Sequence, residues 1–228
     1  MGIQAIIVDT AGTTTDFGFI KEVLFQYSAA ALPAFIEGQQ SRFTVASLLQ
    51  DVRRLSQQPQ ATNAELTTLL QQWIADDNKA TPLKTLQGLI WQQGYLQGDF
   101  KGHIYPDAAA QLKRWQAQGK RLYSYSSSSA DAQQLLFRYS TEGDLSPLFY
   151  GHFDTNMGQK KTAQAYKNIL NTISLRPRQV LFISDDLEEL NSAAEVGLQT
   201  ALIRRDQSGF SGKHPVHREF STITLDGQ

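Results

Sequence analysis

The chain has 228 residues, of which 41% are hydrophobic and 19% charged, with a formal net charge of -1. That length suits one α/β core with a modest insertion, and 21 basic against 22 acidic residues leave no basic excess for a nucleic-acid surface. The absence of cysteine excludes disulfides, thiolate metal sites and cysteine nucleophiles, without fixing a compartment. No basic-then-apolar leader precedes Asp9, and no apolar run is read as long enough to span a membrane, so the cytoplasm is the expected compartment.

The first predicted element is a buried strand through Ile3, Ala5, Ile6, Ile7 and Val8, with Asp9 where it should end. Gly12 permits a sharp reversal there, and Thr13 and Thr14 add hydroxyls beside exposed backbone N–H groups. The stretch 19–100 then has no convincing strand. Its apolar spacing predicts helices over 19–35, 45–55, 65–74 and 81–95, with Thr81 read as a cap residue and Pro82 as the first helical position. Beyond it, strands are predicted at 121–126, 180–185 and 200–203, alternating with helices at 108–118, 130–139, 162–171 and 187–196. Such alternation reads as a parallel sheet covered on both faces. The expected architecture is a Rossmann-like α/β core from 1–18 and 101–228, with a helical cap from 19–100 inserted over the sheet's carboxyl edge.

Asp9 and Asp185 both end predicted strands, and the ends of parallel strands can converge on one edge. Two carboxylates and a backbone carbonyl, completed by water and a phosphate oxygen, would make a Mg2+ site. Glu189 lies four residues past Asp185, so a helix starting there would turn it back toward the site, whereas Asp186 and Glu188 are read as solvent-facing. Ser126 ends another strand and is followed by Ser127, Ser128 and Ser129; Ser126 is read as a phosphate contact and a later serine as the helix cap. Lys160 could neutralise a phosphate and steady a nucleophile, although spacing does not separate it from Lys161. The four histidines complete no zinc pattern and are assigned local hydrogen-bonding roles, and Trp73, Trp91 and Trp115 are assigned to packing.

Asp9 with Thr13, then Ser126, then Lys160, then Asp185 with Glu189 resemble, in order, the four motifs of the haloacid dehalogenase-like phosphatases. Within that superfamily the chain is similar to the enolase-phosphatases, or acireductone synthases. The similarity is carried by stretches such as Leu24-Phe25-Gln26-Tyr27, Leu86-Gln87-Gly88-Leu89-Ile90-Trp91, His103-Ile104-Tyr105-Pro106-Asp107, Gln134-Leu135-Leu136-Phe137 and Gly158-Gln159-Lys160. The resemblance implies Mg2+-dependent conversion of 2,3-diketo-5-methylthiopentyl-1-phosphate to acireductone and phosphate in methionine salvage, with enolisation preceding phosphate removal. It makes Asp9 the nucleophile and a metal ligand, and Asp185 the second carboxylate ligand. The carbonyl of Ala11 becomes a further ligand, and Glu189 acts behind the ligands. Thr13, Ser126, Ser127 and Lys160 handle phosphate, and the cap carries much of the substrate selection. A cytoplasmic monomer acting on a small phosphorylated metabolite is expected, with neither nucleic acid nor membrane as partner.

One departure bears on mechanism. The enolase-phosphatases carry Glu two residues after the nucleophile, and this chain has Ala11, whose methyl group moves no proton. Ser128 also stands where the family has Gly, and Gln26 where it has Pro. Asp9-Thr10-Ala11-Gly12-Thr13-Thr14 is similar instead to the first motif of phosphonoacetaldehyde hydrolases, which form an imine through a cap lysine. Lys21, Lys79 and Lys84 are the cap candidates, but Gln50 and Arg53 occupy the region where that lysine belongs. A phosphatase of altered substrate, a phosphonoacetaldehyde hydrolase and a catalytically inactive ligand-binding or regulatory protein are the alternatives; an acid-impaired enolase-phosphatase is the favoured reading.

Overall fold

In the computed structural model, residues 2–205 and 212–225 are described, and among them six parallel strands form one sheet. They are β1 (Ala5–Val8), β2 (Arg121–Tyr125), β3 (Phe149–Phe153), β4 (Val180–Ser184), β5 (Gln199–Ile203) and β6 (Val216–His217), in spatial order β3-β2-β1-β4-β5-β6. The α-helices are α1 (Gln26–Gln39), α2 (Phe43–Leu55), α3 (Asn63–Ala75), α4 (Thr81–Gln97), α5 (Pro106–Ala117), α6 (Ala130–Arg138), α7 (Ala163–Ile173) and α8 (Leu187–Glu195). The chain divides into two units, residues 1–17 with 101–228, and residues 18–100.

In the first unit, β1 is central because all four of its residues are apolar and buried, as a strand covered on both faces requires. Alternation sends Ala5, Ile7, Tyr123, Tyr125, Val180 and Phe182 to one face, where Tyr166 and Ile169 of α7 and Leu190 of α8 cover them. Ile6, Val8, Leu122, Leu181 and Ile183 go to the other face, against Leu112 and Trp115 of α5 and against Phe220. The chain runs outward from β1 through β2 and β3, then returns to β1's other side for β4 and β5. That reversal opens a crevice at the carboxyl ends of β1 and β4, the usual ligand site of such sheets. Val8 pairs with Ile183, so Asp9 and Asp185 leave adjacent strands at the same edge.

The second unit is helical. Leu32, Phe35 and Ile36 of α1 pack with Val45, Leu49 and Val52 of α2, Leu66, Leu70 and Ile74 of α3, and Leu83, Leu86 and Ile90 of α4. Thr62 and Glu65 close a reciprocal capping box at the start of α3. Two expectations need correction. Ala80, not Thr81, is the N-cap of α4, because Asn78 Oδ1 accepts from Ala80 N (2.8 Å) and sets the entry one residue earlier. The continuous helix Phe19–Gln39, which begins as a π-helical turn at Phe19–Phe25, is also long and apolar enough to cross a membrane by length and composition alone. Within it, Leu24, Leu32, Phe35 and Ile36 are buried, while Lys21, Glu22 and Glu37 face outward.

Two strands had no counterpart in the sequence reading. β6 has only two residues, and β3 lies at the sheet edge with Tyr150 exposed and Gly151 within it, so no apolar run marks either. β3 nevertheless carries His152, whose ring stacks near Phe137 and Phe149 (5.9 and 5.3 Å between centroids). Burial there pushes the imidazole from 6.5 down to about 4. Between those values the unfolded chain binds a proton that the folded chain does not. The stabilisation is therefore complete above about pH 6.5 and lost as pH falls toward 4. Urea unfolding near pH 7.5 and pH 4.5 should give a smaller pH effect for His152→Gln than for the parent, by about 2 kcal/mol. Parallel pH profiles for the two proteins would contradict this account.

Candidate active site

Asp9 is the first residue beyond β1, and its N–H donates to Ile183 O (2.9 Å), which ties it to β4. The next six residues form a tight turn in which the N–H groups of Thr13, Thr14 and Thr15 all donate to Thr10 O. Gly12 sits there at φ +82°, and a Cβ would run into the Asp185 carboxylate, so the turn requires glycine twice over. Thr13 Oγ1 lies 3.2 Å from Asp9 Oδ2 and 3.1 Å from Asp185 Oδ1, and it accepts from Asp185 N (3.0 Å). The Thr13 side chain is thus committed to the two carboxylates. Ala11 is half-buried within the same turn.

Lys160 reaches this edge from the segment before α7. Its Nζ lies 2.5 Å from Asp9 Oδ1 and 2.8 Å from Glu189 Oε2, with all three side chains buried. Burial opposes the ammonium, but the charges of Asp9 and Glu189 and hydrogen bonds to both outweigh it, so Lys160 is held above the ordinary lysine range. Glu189 is brought there by α8, whose N-cap Asp186 accepts from the N–H groups of Glu188 and Glu189. Ser184 Oγ donates to Glu189 Oε2 (2.9 Å). Burial, then the charge of Asp9, raises Glu189 to about 7. Lys161, which spacing did not separate from Lys160, points away and pairs with Asp186 and Glu188 at the surface.

Ser126 follows β2 and is buried, and its Oγ accepts from Thr10 Oγ1 (2.7 Å) and Ser128 N (3.2 Å). Thr10 N–H donates in turn to Asp9 Oδ1 (2.7 Å). A later serine does serve as the cap: Ser129 caps α6 by accepting from Ala132 N (3.2 Å), while Ser127, expected beside the phosphate, is exposed. The adjacency of β1, β2 and β4 therefore gathers Asp9, Thr13, Ser126, Lys160, Asp185 and Glu189 from four separate parts of the chain.

The donor set fits a hard divalent cation. Burial and the charge of Asp9 raise Asp185 to about 6, the mark of two carboxylates sharing more negative charge than their surroundings neutralise. Both offer oxygen, as Mg2+ prefers. Among the described residues no group of three or more His, Asp or Glu side chains is gathered for a metal, so a backbone carbonyl and non-protein oxygens would have to complete the shell.

Sequence reasoning missed Arg205. Its guanidinium donates to Asp107 Oδ1 (3.0 Å) and to Thr13 O (3.1 Å), and it lies 3.6 Å over the Tyr105 ring. Asp107 Oδ2 also accepts from Phe220 N (2.8 Å), so the segment after β6 buttresses the turn after β1. Only Tyr105 and Asp107 had been singled out, as part of a family stretch. The histidines do lie in local contacts: His214 bridges Thr200 and Asn191, His217 meets Thr222, and His103 meets Thr15. In the helical unit, Arg53 is committed to Ala61 O and Asn63 Oδ1, and Lys79 pairs with Asp77.

Residues 3–197 match the haloacid dehalogenase-like hydrolases. The enolase-phosphatase E1 of Shewanella halifaxensis (strain HAW-EB4) is 53% identical over 225 residues, covering 99% of this chain and 100% of the relative. That of Shewanella putrefaciens (strain CN-32) is 55% identical over 226 residues, with the same two coverages of 99% and 100%. The crystal structure of the UTR4 protein of Saccharomyces cerevisiae is similar at a TM-score of 0.82 and 32% identity, covering 97% of this chain and all of that one (100%). A catalytic edge built from four dispersed motifs and relatives alike over their whole length lead to one conclusion: the chain belongs to the enolase-phosphatase E1 family of haloacid dehalogenase-like hydrolases.

Proposed function

We propose that this protein is a Mg2+-dependent phosphomonoester hydrolase that converts 2,3-diketo-5-methylthiopentyl-1-phosphate to acireductone and inorganic phosphate in methionine salvage. The observation that carries the reading is a buried ammonium, Lys160 Nζ, bonded at once to Asp9 (2.5 Å) and Glu189 (2.8 Å) at the ligand edge of the sheet. A packing role gives no reason to bury these three charges together, whereas phosphoryl transfer does. The full-length relatives are named enolase-phosphatases, which supports the same type of reaction.

Asp9, Asp185 and the carbonyl of Ala11 would hold Mg2+, which when bound supplies charge that offsets the phosphate and draws it toward the nucleophile. Thr10 N–H and Lys160 orient the Asp9 carboxylate through Oδ1. That carboxylate attacks phosphorus, the bond from phosphorus to the ester oxygen breaks, and its electron pair leaves with the enol oxygen. Water then hydrolyses the aspartyl phosphate and restores Asp9. Lys160 balances charge on the transferring group. Ser126 accepts from Thr10 and Ser128, and so keeps its own proton to donate to a phosphate oxygen.

Ala11 donates no proton to the leaving oxygen. Burial and the charge of Asp9 raise the proton affinity of Asp185 and Glu189, but these side chains are turned to Thr13 and to Ser184 with Lys160 respectively. On this reading protonation of the leaving group is left to solvent, which an enol leaving group tolerates better than an alkoxide would. The enzyme is functional and acid-impaired.

Asp9→Asn should lower phosphate release by about 10⁴-fold or more while leaving the thermal midpoint near the parent's. Near-parental turnover of a verified Asp9→Asn protein would point to another nucleophile. Mg2+ at about a hundredfold over its Kd should stabilise the parent by about 2.7 kcal/mol in thermal unfolding. Asp185→Ala should abolish that gain, and an equal Mg2+ response in the variant would reject the ligand set. Restoring an acid with Ala11→Glu should raise kcat on the diketo phosphate by roughly 10²–10⁴, with acireductone and phosphate followed separately. No gain over an already fast parent would refute the impairment, and faster cleavage of phosphonoacetaldehyde would replace the substrate.

A further inference from the structure

Gln133 lies in the second turn of α6 with 1% of its surface exposed. A buried amide is costly unless all its hydrogen-bonding capacity is used. Here Nε2 donates to Ser128 O (3.0 Å) and to Phe153 O (2.8 Å), and Oε1 lies 2.5 Å from Ser124 Oγ. The two carbonyls can only accept, so the amide cannot be turned over. Ser124 must then donate to Oε1, and it accepts from His152 Nδ1 (2.7 Å). One directed chain runs from β3 through β2 and α6 to two backbone carbonyls.

Those carbonyls flank Ser126. Phe153 O also accepts from Ser126 N (3.1 Å), and Ser128 N donates to Ser126 Oγ (3.2 Å). Ser126 Oγ in turn meets Thr10 Oγ1 (2.7 Å), whose backbone N–H holds the nucleophile. The amide of Gln133 thus fixes both sides of the turn that presents Ser126. The contact is remote from the reacting atoms, yet displacing a binding group by about 1 Å can cost on the order of 10²-fold.

We propose that Gln133 is a positioning residue for phosphate recognition, pinning the Ser126–Ser129 turn by donating both amide hydrogens to the Ser128 and Phe153 carbonyls. The inference rests on the reading of that turn as the phosphate site. It explains why a neutral amide occupies this core position. A carboxylate of the same shape would set negative charge against two carbonyl oxygens, and only its protonated form would return one of the two donated bonds. The titratable groups facing the network are His152 and Asp154, the latter accepting from Ala130 N and Asn156 N. His152, held near 4, stays neutral across the pH range of the test.

The test compares the parent with Gln133→Glu, Gln133→Met and Ser124→Ala, using inorganic phosphate as competitive inhibitor of phosphate-ester hydrolysis between about pH 5.5 and 8. Circular dichroism and thermal unfolding check that each protein is folded. Gln133→Met should weaken phosphate about tenfold or more at every pH, raising KM more than it lowers kcat. Gln133→Glu should weaken it as much near pH 8 and recover several-fold near pH 5.5, relative to the parent at the same pH. A structural defect alone would not produce this acid rescue. Ser124→Ala keeps both carbonyl bonds available and removes only the hydroxyl that orients the amide, so it should weaken phosphate about threefold and keeps the test decisive if a Gln133 variant does not fold. Phosphate inhibition within twofold of the parent in every folded variant overturns the proposal. Absence of phosphate competition in the parent overturns the phosphate-site reading together with it.

Discussion

The structure turns on one buried ammonium. Lys160 sits between Asp9 and Glu189, and Asp185 lies close by across Thr13. One positive charge does not balance three carboxylates in a partly desolvated site. Burial, and then the charge of Asp9, raise the proton affinity of Asp185, to about 6, and of Glu189, to about 7. A divalent cation would relieve the imbalance, because it adds positive charge where the carboxylates crowd, and would let an anionic phosphate approach the edge beside Lys160. Everything that brings β1 and β4 side by side is therefore also part of the site. The sheet reversal matters because it lets two strand ends deliver carboxylates to one crevice.

Much of this was legible in the sequence, for a physical reason. Strands covered on both faces must be apolar throughout, so Ala5–Val8 and Val180–Ser184 stand out, and the first carboxylate beyond each marks the functional edge. Helices of the inserted unit are equally plain from their spacing, because each contributes one apolar stripe to a shared core. Edge elements escape such reasoning. β3 is partly exposed and includes Gly151, and β6 is two residues long, so neither leaves a periodic signal. The start of α4 moved because Asn78 caps the preceding residue, a local hydrogen bond that propensity at Thr81 does not reveal.

The residues that sequence reading missed share another property: they act through backbone atoms. Arg205, just beyond β5, binds Thr13 O, and Gln133 binds Ser128 O and Phe153 O. A carbonyl carries no residue identity, so nothing at positions 13, 128 or 153 advertises the contact. In an amphipathic helix, Gln133 looks like an ordinary polar interruption. Its significance comes only from burial, which requires an amide there to spend every donor and acceptor on partners. A buried glutamine on an apolar helix face is the one signal that could have been noticed beforehand.

Ala11 is best understood against the same charge balance. The family pattern that the sequence resembles places a glutamate here, beside a site already carrying Asp9, Asp185 and Glu189. A fourth carboxylate would add a proton donor to the leaving oxygen, and also repulsion that only bound Mg2+ could offset. Alanine removes both effects. Its backbone carbonyl remains in place for the cation, and the turn around Gly12 depends on Thr10 O and Gly12, not on the side chain at position 11. On the proposed mechanism, position 11 would thus separate two roles that one glutamate would combine: metal coordination through the peptide group and proton transfer through the side chain. A chain that lost phosphoryl chemistry altogether would have no use for the buried Lys160 pair or the hydrogen-bonded serine turn, both costly to keep unless something binds there. On the proposed mechanism, Asp9, Lys160 and the serine turn keep their places, and the step that alanine at position 11 would slow is protonation of the leaving group.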